Sequence, residues 1–398
     1  MTPAGPPAPT DIHQLRKLAE ASLDQYLDDL RTLVDIDCGT YIPAGVNRVA
    51  DFMQSRFRER GWTVDRIHHS PEKDSAQLGD LLVAKLQGPR AGGRRVLLVG
   101  HMDTVFPEGT ALERPLRIEG STAYGPGVSD MKGGLLGGYH AVASLQDAGF
   151  EDFGSITYVC NPDEEIGSPF SGPFILEQAR DADVCFVLEG ARENGDIVSS
   201  RKGVKDIRMV FNGRAAHAGV EPERGRSATL QAAHTTIALQ ELNGRWPGVT
   251  VNVGVIQGGT RPNVVAERCE LQVDVRAVTA KDFDEALTEV ERRARETVVS
   301  DVTVEIVTQS GFPPMEKTEA TARLVDRAKE LAAELGFEVN DAATGGASDA
   351  NPVAGMGVPT LDGLGPIGGA DHAPGEWLDL ESVVPRVSLL AGLIASSP

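Results

Sequence analysis

Five places in the chain put metal-binding or proton-moving side chains where short apolar runs or glycine-rich turns break off. The run 96–99 leads into Gly-His101-Met-Asp103, the run 156–160 into Asn-Pro-Asp-Glu164-Glu165, and the run 184–188 into Glu189. The turn Tyr124-Gly-Pro-Gly-Val-Ser-Asp130 opens a helical segment, and His372 sits in Gly-Gly-Ala-Asp-His-Ala-Pro. Taken singly, each has an ordinary explanation. A lone His after a strand is more often a hydrogen-bonded structural residue. Glu164 and Glu165, beside Asp163, suit a solvated acidic loop. Asp130 suits a helix N-cap, and His372 a surface loop.

Together they describe different chemistry. His101, Asp130, Glu165, Glu189 and His372 form a mixed nitrogen and oxygen donor set. That set suits zinc, with manganese or cobalt as substitutes, and lacks the thiolates of a structural zinc site. A metal-bound imidazole usually gives its second ring N–H to an oxygen acceptor, and the His101-x-Asp103 spacing can supply one. Asp130 has two oxygens and can bridge two metals. Adjacent Glu164 and Glu165 can divide the work, one binding metal and the other taking a proton from an activated water. The chemistry implied is hydrolysis. The remaining histidines His13, His68, His69, His140 and His234 read as packing or surface residues.

The elements that must position these groups follow from periodicity. Apolar spacing predicts a helix over 11–35 and another over 46–60 ending at Gly61. Apolar runs 81–86, 96–99, 156–160 and 184–188 read as buried strands, with a small-residue-rich helix over 132–148. Strands alternating with helices predict an α/β fold with a mostly parallel sheet, and ligands of such sheets sit beyond the strands' carboxyl ends. From residue 201 the pattern changes to strand 206–211, helix 227–242, strands 249–256 and 270–276, helix 281–296 and strand 302–307. That order is the β-α-β-β-α-β of a ferredoxin-like domain. The expected organisation is a disordered leader at 1–10, a discontinuous catalytic domain at 11–200 and 312–398, and an inserted domain at 201–311.

Bulk properties narrow the classes. With 398 residues, the chain needs roughly two domains. The formal charge of −20 argues against nucleic acid and anionic membranes as partners. No stretch is long and apolar enough to span a bilayer. Cys38, Cys160, Cys185 and Cys269 are scattered without a C-x-x-C pair, which fits a reducing, cytoplasmic setting without disulfides.

The segments GHMDTVFP, YGPGVSDMKGG, NPDEEIGS, FVLEGA, RAAHAGVEPERGRSA, QGGTRPNVV, DVRAV, GGASDAN and GADHAPGEW occur in an order that resembles the aminoacylase/carboxypeptidase family of co-catalytic zinc metallopeptidases. The glutamate carboxypeptidase branch is the nearest in motif. The resemblance covers nearly the whole chain after the leader. It implies two zinc ions: Asp130 bridging, His101 and Glu189 completing one site, Glu165 and His372 the other. It further implies that Glu164 is the general base and that Asp103 orients His101. The inserted domain corresponds to a lid through which the family forms homodimers, and His217 to a histidine that stabilises the oxyanion in the partner subunit's site. Asn263, Arg276 and Lys202 match positions suited to a substrate carboxylate, although ordinary surface hydrogen bonds and salt bridges explain them as well. Ala347 and Ala266 depart from the family's usual glycine and proline. The expected substrate is a dipeptide or N-acyl amino acid with a free carboxylate. The rival within the same chemistry is a deacylase of the acetylornithine or succinyl-diaminopimelate kind. A non-catalytic binding protein on the same fold is the rival outside it.

Overall fold

The computed structural model describes residues 11–73 and 75–397, so the leader expected at 1–10 lies outside the described residues. The chain divides into two compact units. One comprises the chain up to Ser199, Lys317–Ala343 and the chain from Pro352 onward; the other comprises Ser200–Glu316 and Thr344–Asn351.

The first unit is built on six strands. They include β1 (Thr63–Ile67), β2 (Leu81–Gln87), β3 (Arg95–His101), β4 (Ser155–Asn161) and β5 (Val184–Val187). The order is β1-β2-β4-β3-β5, closed by a short strand at Thr360–Leu361. β3 pairs in parallel with β4 and β5, and β5 with the last strand; β1 and β2 run antiparallel at the other edge. The sheet is therefore mostly parallel. β3 and β4 are buried almost throughout, as their unbroken apolar runs require. The register sets His101 opposite Asn161 and Val99 opposite Val187. Three strands thus end at one level, with His101, Glu164, Glu165 and Glu189 just beyond.

The helix Gly133–Asp147 lies against this sheet, buried from Gly133 to Leu145. Its glycines allow the approach. A Cβ at Gly134 would stand 1.8 Å from the Leu188 carbonyl oxygen, and one at Gly138 2.4 Å from Leu188 Cδ1. Helices Ile12–Ala21, Leu23–Val34, Pro43–Glu59, Glu319–Leu335 and Val383–Ser396 complete the core. Glu319–Leu335 is well delimited. Thr318 caps it by accepting from Thr321 N, and Gly336 ends it in the left-handed region at φ 87°.

The single helix expected over 11–35 is two, Ile12–Ala21 and Leu23–Val34. Ser22 stands between them, its hydroxyl donating to Ala19 O. The helix expected from residue 46 begins at Pro43, a residue pre-set for the first helical turn. A small antiparallel sheet has no counterpart in the sequence reading. Its strands are Gly368–Gly369, Trp377–Asp379, Thr122–Tyr124 and Arg117–Glu119, in that order. The first two form a hairpin around His372, and Trp377 pairs with Tyr124, which leads toward Asp130.

The second unit has four strands: β6 (Gly203–Asn212), β7 (Thr250–Gly258), β8 (Arg268–Ala277) and β9 (Thr303–Phe312). They are ordered β7-β8-β6-β9, all antiparallel, with helices Ala228–Gln240 and Ala280–Ala294 following β6 and β8. This is the expected ferredoxin-like order. In β8, Cys269, Leu271, Val273, Val275 and Ala277 face the buried core, while the alternate residues are polar. The division differs from the expected return to the first unit at 312. Thr344–Asn351 belongs with the second unit because its polar groups are bonded there. Gly345 O accepts from Arg276 Nη1 (2.8 Å), Gly346 O from Arg201 Nη1 (3.2 Å), and Asn351 Nδ2 donates to Lys202 O (3.1 Å) and Pro313 O (2.8 Å).

All four cysteines are free and buried. No helix among the described residues is long and apolar enough to cross a membrane.

Candidate metal centre

β3 delivers His101 into a buried position, 1% exposed. Its Nδ1 faces the Asp103 carbonyl oxygen at 3.0 Å and the Asp103 carboxylate at 3.4 Å. The carbonyl is the nearer acceptor, so it fixes the ring as much as the expected carboxylate does. The opposite nitrogen, Nε2, points at Asp130 Oδ1 (3.0 Å) and Glu189 Oε1 (3.7 Å).

Asp130 follows Gly127, whose φ of 78° is a left-handed conformation suited to glycine. Its second oxygen, Oδ2, lies 3.0 Å from His372 Nε2, and that same nitrogen lies 3.2 Å from Glu165 Oε2. Asp130 thus gives one oxygen to the His101–Glu189 pair and the other to the His372–Glu165 pair. His372 itself takes a left-handed φ of 62°. For a non-glycine residue that costs on the order of 1 kcal/mol, outweighed by the hairpin that holds the loop.

Asp103 does more than touch His101. Its Oδ1 accepts from Glu164 N (3.2 Å), and its Oδ2 from Glu165 N (3.3 Å) and Thr40 Oγ1 (2.6 Å). One buried carboxylate therefore sets the backbone that presents both glutamates. Glu164 reaches the same cluster, with a carboxylate oxygen within 4.8 Å of ligand atoms of His101 and Glu189.

The electrostatics of the cluster follow from its crowding. Burial works against charge on His101, yet Glu189, Asp103 and Asp130 hold its pKa well above the usual imidazole range. Hydrogen bonds to Asp130 and Glu165 push His372 up to about 11. Burial raises Glu165, with Asp130 and Asp103 adding to the effect, and its buried Oε1 has no hydrogen-bond partner among the described residues. Desolvation works in the same direction on the half-buried Asp130, but its bonds to His101 and His372 lower it. Carboxylates this close need positive charge between them. The two imidazoles face them, and a divalent cation would supply that charge. Donor atoms 3.0–3.7 Å apart match the spacing of about 3.3 Å expected around tetrahedral zinc with bonds near 2.0–2.1 Å. The residues fit divalent cations in their number, kind and spacing.

The other sequence candidates lie in the second unit. His217 is exposed, its Nδ1 accepting from Gly219 N at 3.2 Å. Its segment is bridged to Val264, and Ala218 N donates to Asn263 O at 3.0 Å, which joins His217 and the exposed Asn263 on neighbouring loops. Arg276 is held by Asp274 at 3.1 Å as well as by Gly345 O. Lys202 is half-buried, its backbone N–H donating to Thr344 O.

One residue escaped the sequence reading. Glu376 is 1% exposed and accepts from Gly127, Ser129 and Asp130 N–H groups. The signal that could have found it is an acid four residues after His372, placed directly before the apolar Trp377-Leu378.

The model for peptidase family M20/M25/M40 matches residues 97–396. The chain is 31% identical to carboxypeptidase G2 of Pseudomonas sp. (strain RS-16), over 95% of this chain and 91% of that protein. It is 27% identical to acetylornithine deacetylase of Edwardsiella ictaluri (strain 93-146), over 84% and 88% respectively. In fold it is similar to aminopeptidase PepT of Bacillus cereus ATCC 10987, with a TM-score of 0.75 at 22% identity, covering 94% of this chain and 98% of that one. It is likewise similar to an M20 family metallo-carboxypeptidase of Sulfolobus solfataricus, with a TM-score of 0.71 at 16% identity, covering 94% and 99%. The chain belongs to the M20 peptidase family, whose members are hydrolases that use divalent metal ions.

Proposed function

We propose that this chain is a two-zinc exopeptidase that cleaves the amide bond of a dipeptide or N-acyl amino acid bearing a free carboxylate. The observation that carries the proposal is Asp130, whose two oxygens each face a separate His–Glu pair. His101, Asp130 and Glu189 would hold one cation, and His372, Asp130 and Glu165 the other; manganese or cobalt can substitute. Bound divalent cations supply Lewis acidity toward a carbonyl oxygen and lower the pKa of water.

The chain's own residues do the rest. Glu164, beside His101 and Glu189, takes a proton from the attacking water and returns it to the departing amine. Asp103 keeps Glu164 at that station through its backbone N–H. Arg276, with Asn263 and Lys202, binds the substrate carboxylate, to which a guanidinium can offer two parallel hydrogen bonds.

The second unit is the lid and dimer-forming domain in this proposal, and His217 stabilises the oxyanion in the partner subunit's site. Its edge strand β7 exposes Val255 and Ile256, and helix Ala228–Gln240 exposes Leu230 and Ile237, which supports a homodimer. Sedimentation of the protein as a monomer at micromolar concentration would remove that part. The four free buried cysteines support a cytoplasmic location.

The test is to incubate zinc-loaded protein and its Glu164→Ala variant with a panel of dipeptides and N-acyl amino acids, following release of free amine. Hydrolysis lost in the variant at equal metal content supports the proposal and names the substrate class. Action on N-acetyl amino acids alone would favour the deacylase reading, which the acetylornithine deacetylase relative supports. No release from any member, with metal bound, would overturn it.

A further inference from the structure

We infer that Glu376 is a positioning residue for the metal centre, the side chain that locks the loop presenting Asp130 between the two His–Glu pairs. The inference rests on the metal-hydrolase reading and extends it to a residue outside the ligand set.

The Glu376 carboxylate is buried, and both its oxygens are used. Oε2 accepts from Gly127 N at 2.8 Å; Oε1 accepts from Ser129 N at 2.9 Å and Asp130 N at 3.0 Å. Three backbone N–H groups converging on both oxygens of one carboxylate make a grip that a group with a single acceptor oxygen cannot match. The grip ends on the backbone nitrogen of Asp130 itself, so the direction of its side chain is set one bond from the held atom. The same carboxylate stands four residues after His372, directly before the strand Trp377–Asp379 that pairs with Thr122–Tyr124. Glu376 therefore ties the loop of one ligand to the loop of another. Partners of this kind around metal ligands typically change metal affinity 10–100-fold when removed.

Glutamine at this position is nearly isosteric but has one acceptor oxygen. Its amide NH2 would face either Gly127 N–H or the N–H groups of Ser129 and Asp130, donor against donor. The experiment titrates zinc alone into the metal-free full chain, for wild type and Glu376→Gln, in competition with a chromophoric chelator. The visible absorption bands of cobalt-loaded protein are recorded in parallel. Tyr158→Phe, which removes a buried bond to Leu135 O, serves as the control for general destabilisation. The expected result is a loss of zinc affinity of about 10–100-fold and altered cobalt bands in Glu376→Gln, neither of them seen in Tyr158→Phe. Unchanged affinity and bands, with only a lower melting temperature, would reduce Glu376 to an ordinary structural contact and overturn the inference. Should the Gln variant not fold, Glu376→Asp carries the same measurement, because it keeps the charge and withdraws the oxygens by one methylene. Failure of the wild-type chain to bind zinc at all would sink the metal-hydrolase reading itself, a different outcome from wild-type binding that the Glu376 variants leave unchanged.

Discussion

Replacing Gly134 by Ala is expected to destabilise the first unit, whereas the same change at Gly137, three residues on in the same helix, is expected to stabilise it. Alanine in a helix interior is ordinarily favoured over glycine by about 1 kcal/mol. At Gly137 a new Cβ meets nothing nearer than Pro366 Cδ at 3.9 Å, an ordinary contact, so the full propensity gain applies. At Gly134 the new Cβ stands 1.8 Å from the Leu188 carbonyl oxygen. Both sides of that clash are backbone, so helix and strand must separate by roughly 1 Å, and overpacking of this kind costs about 1–3 kcal/mol. A contact of 1.8 Å against a backbone oxygen belongs at the upper end of that range, so after the propensity gain a net loss of about 2 kcal/mol remains. Leu188 directly precedes Glu189, so the displacement also moves a candidate ligand. Thermal denaturation of the metal-free proteins checks the stabilities, at about 2–4 °C per kcal/mol for a unit of this size. Zinc titration checks the ligand. A Gly134→Ala protein as stable as wild type, or a Gly137→Ala protein less stable, would refute the claim that glycine is needed for close approach at one site and is only a cost at the other.

Asp103→Asn is expected to lower metal affinity about 10–100-fold, because one of the two oxygens accepting from Glu164 N, Glu165 N and Thr40 Oγ1 becomes a donor; zinc titration measures it. Chelation of divalent cations is expected to lower the melting temperature, since metal at a thousandfold excess over Kd contributes about 4 kcal/mol; calorimetry with and without chelator decides, and an unchanged midpoint would count against a metal centre. In the second unit, the paired bonds from Arg208 hold Glu270 down to about 2. A lowered carboxyl pKa contributes stability above the ordinary glutamate value of about 4.3, and that contribution fades as pH falls toward about 2. Arg208→Gln should bring the Glu270 titration, followed by NMR, up toward the ordinary value and narrow its stability deficit as pH falls below about 4.

Much of the architecture is legible from local patterns. Apolar runs mark β3, β4, β5 and the first half of β2 because strands buried on both faces have no polar side to alternate with. The alternation in β8 marks a sheet covered on one face only. Helix Glu319–Leu335 carries its own Thr cap and Gly stop. Shorter or exposed elements leave no such trace. β1 is partly solvated, and the strands Gly368–Gly369 and Trp377–Asp379 are two and three residues long, too short for any period to register. The break at Ser22 hides inside a continuous helical spacing, because a single residue leaving helical geometry, at ψ 1°, does not disturb the apolar period.

The candidate site divides in the same way. Residue types and their places after strands were readable at His101, Glu164, Glu165 and Glu189, since a parallel sheet aligns the carboxyl ends of its strands by register. Asp130 and His372 lie on no such strand. Their meeting depends on a hairpin pairing with Tyr124 and on Glu376 bonding a backbone 246–249 residues away. Local sequence determines which elements form and what chemistry they carry, because propensity, caps and periodicity act within a few residues. Hydrogen bonds between distant loops exist only once the chain has folded. Tertiary structure alone therefore decided that one carboxylate would stand between two histidines.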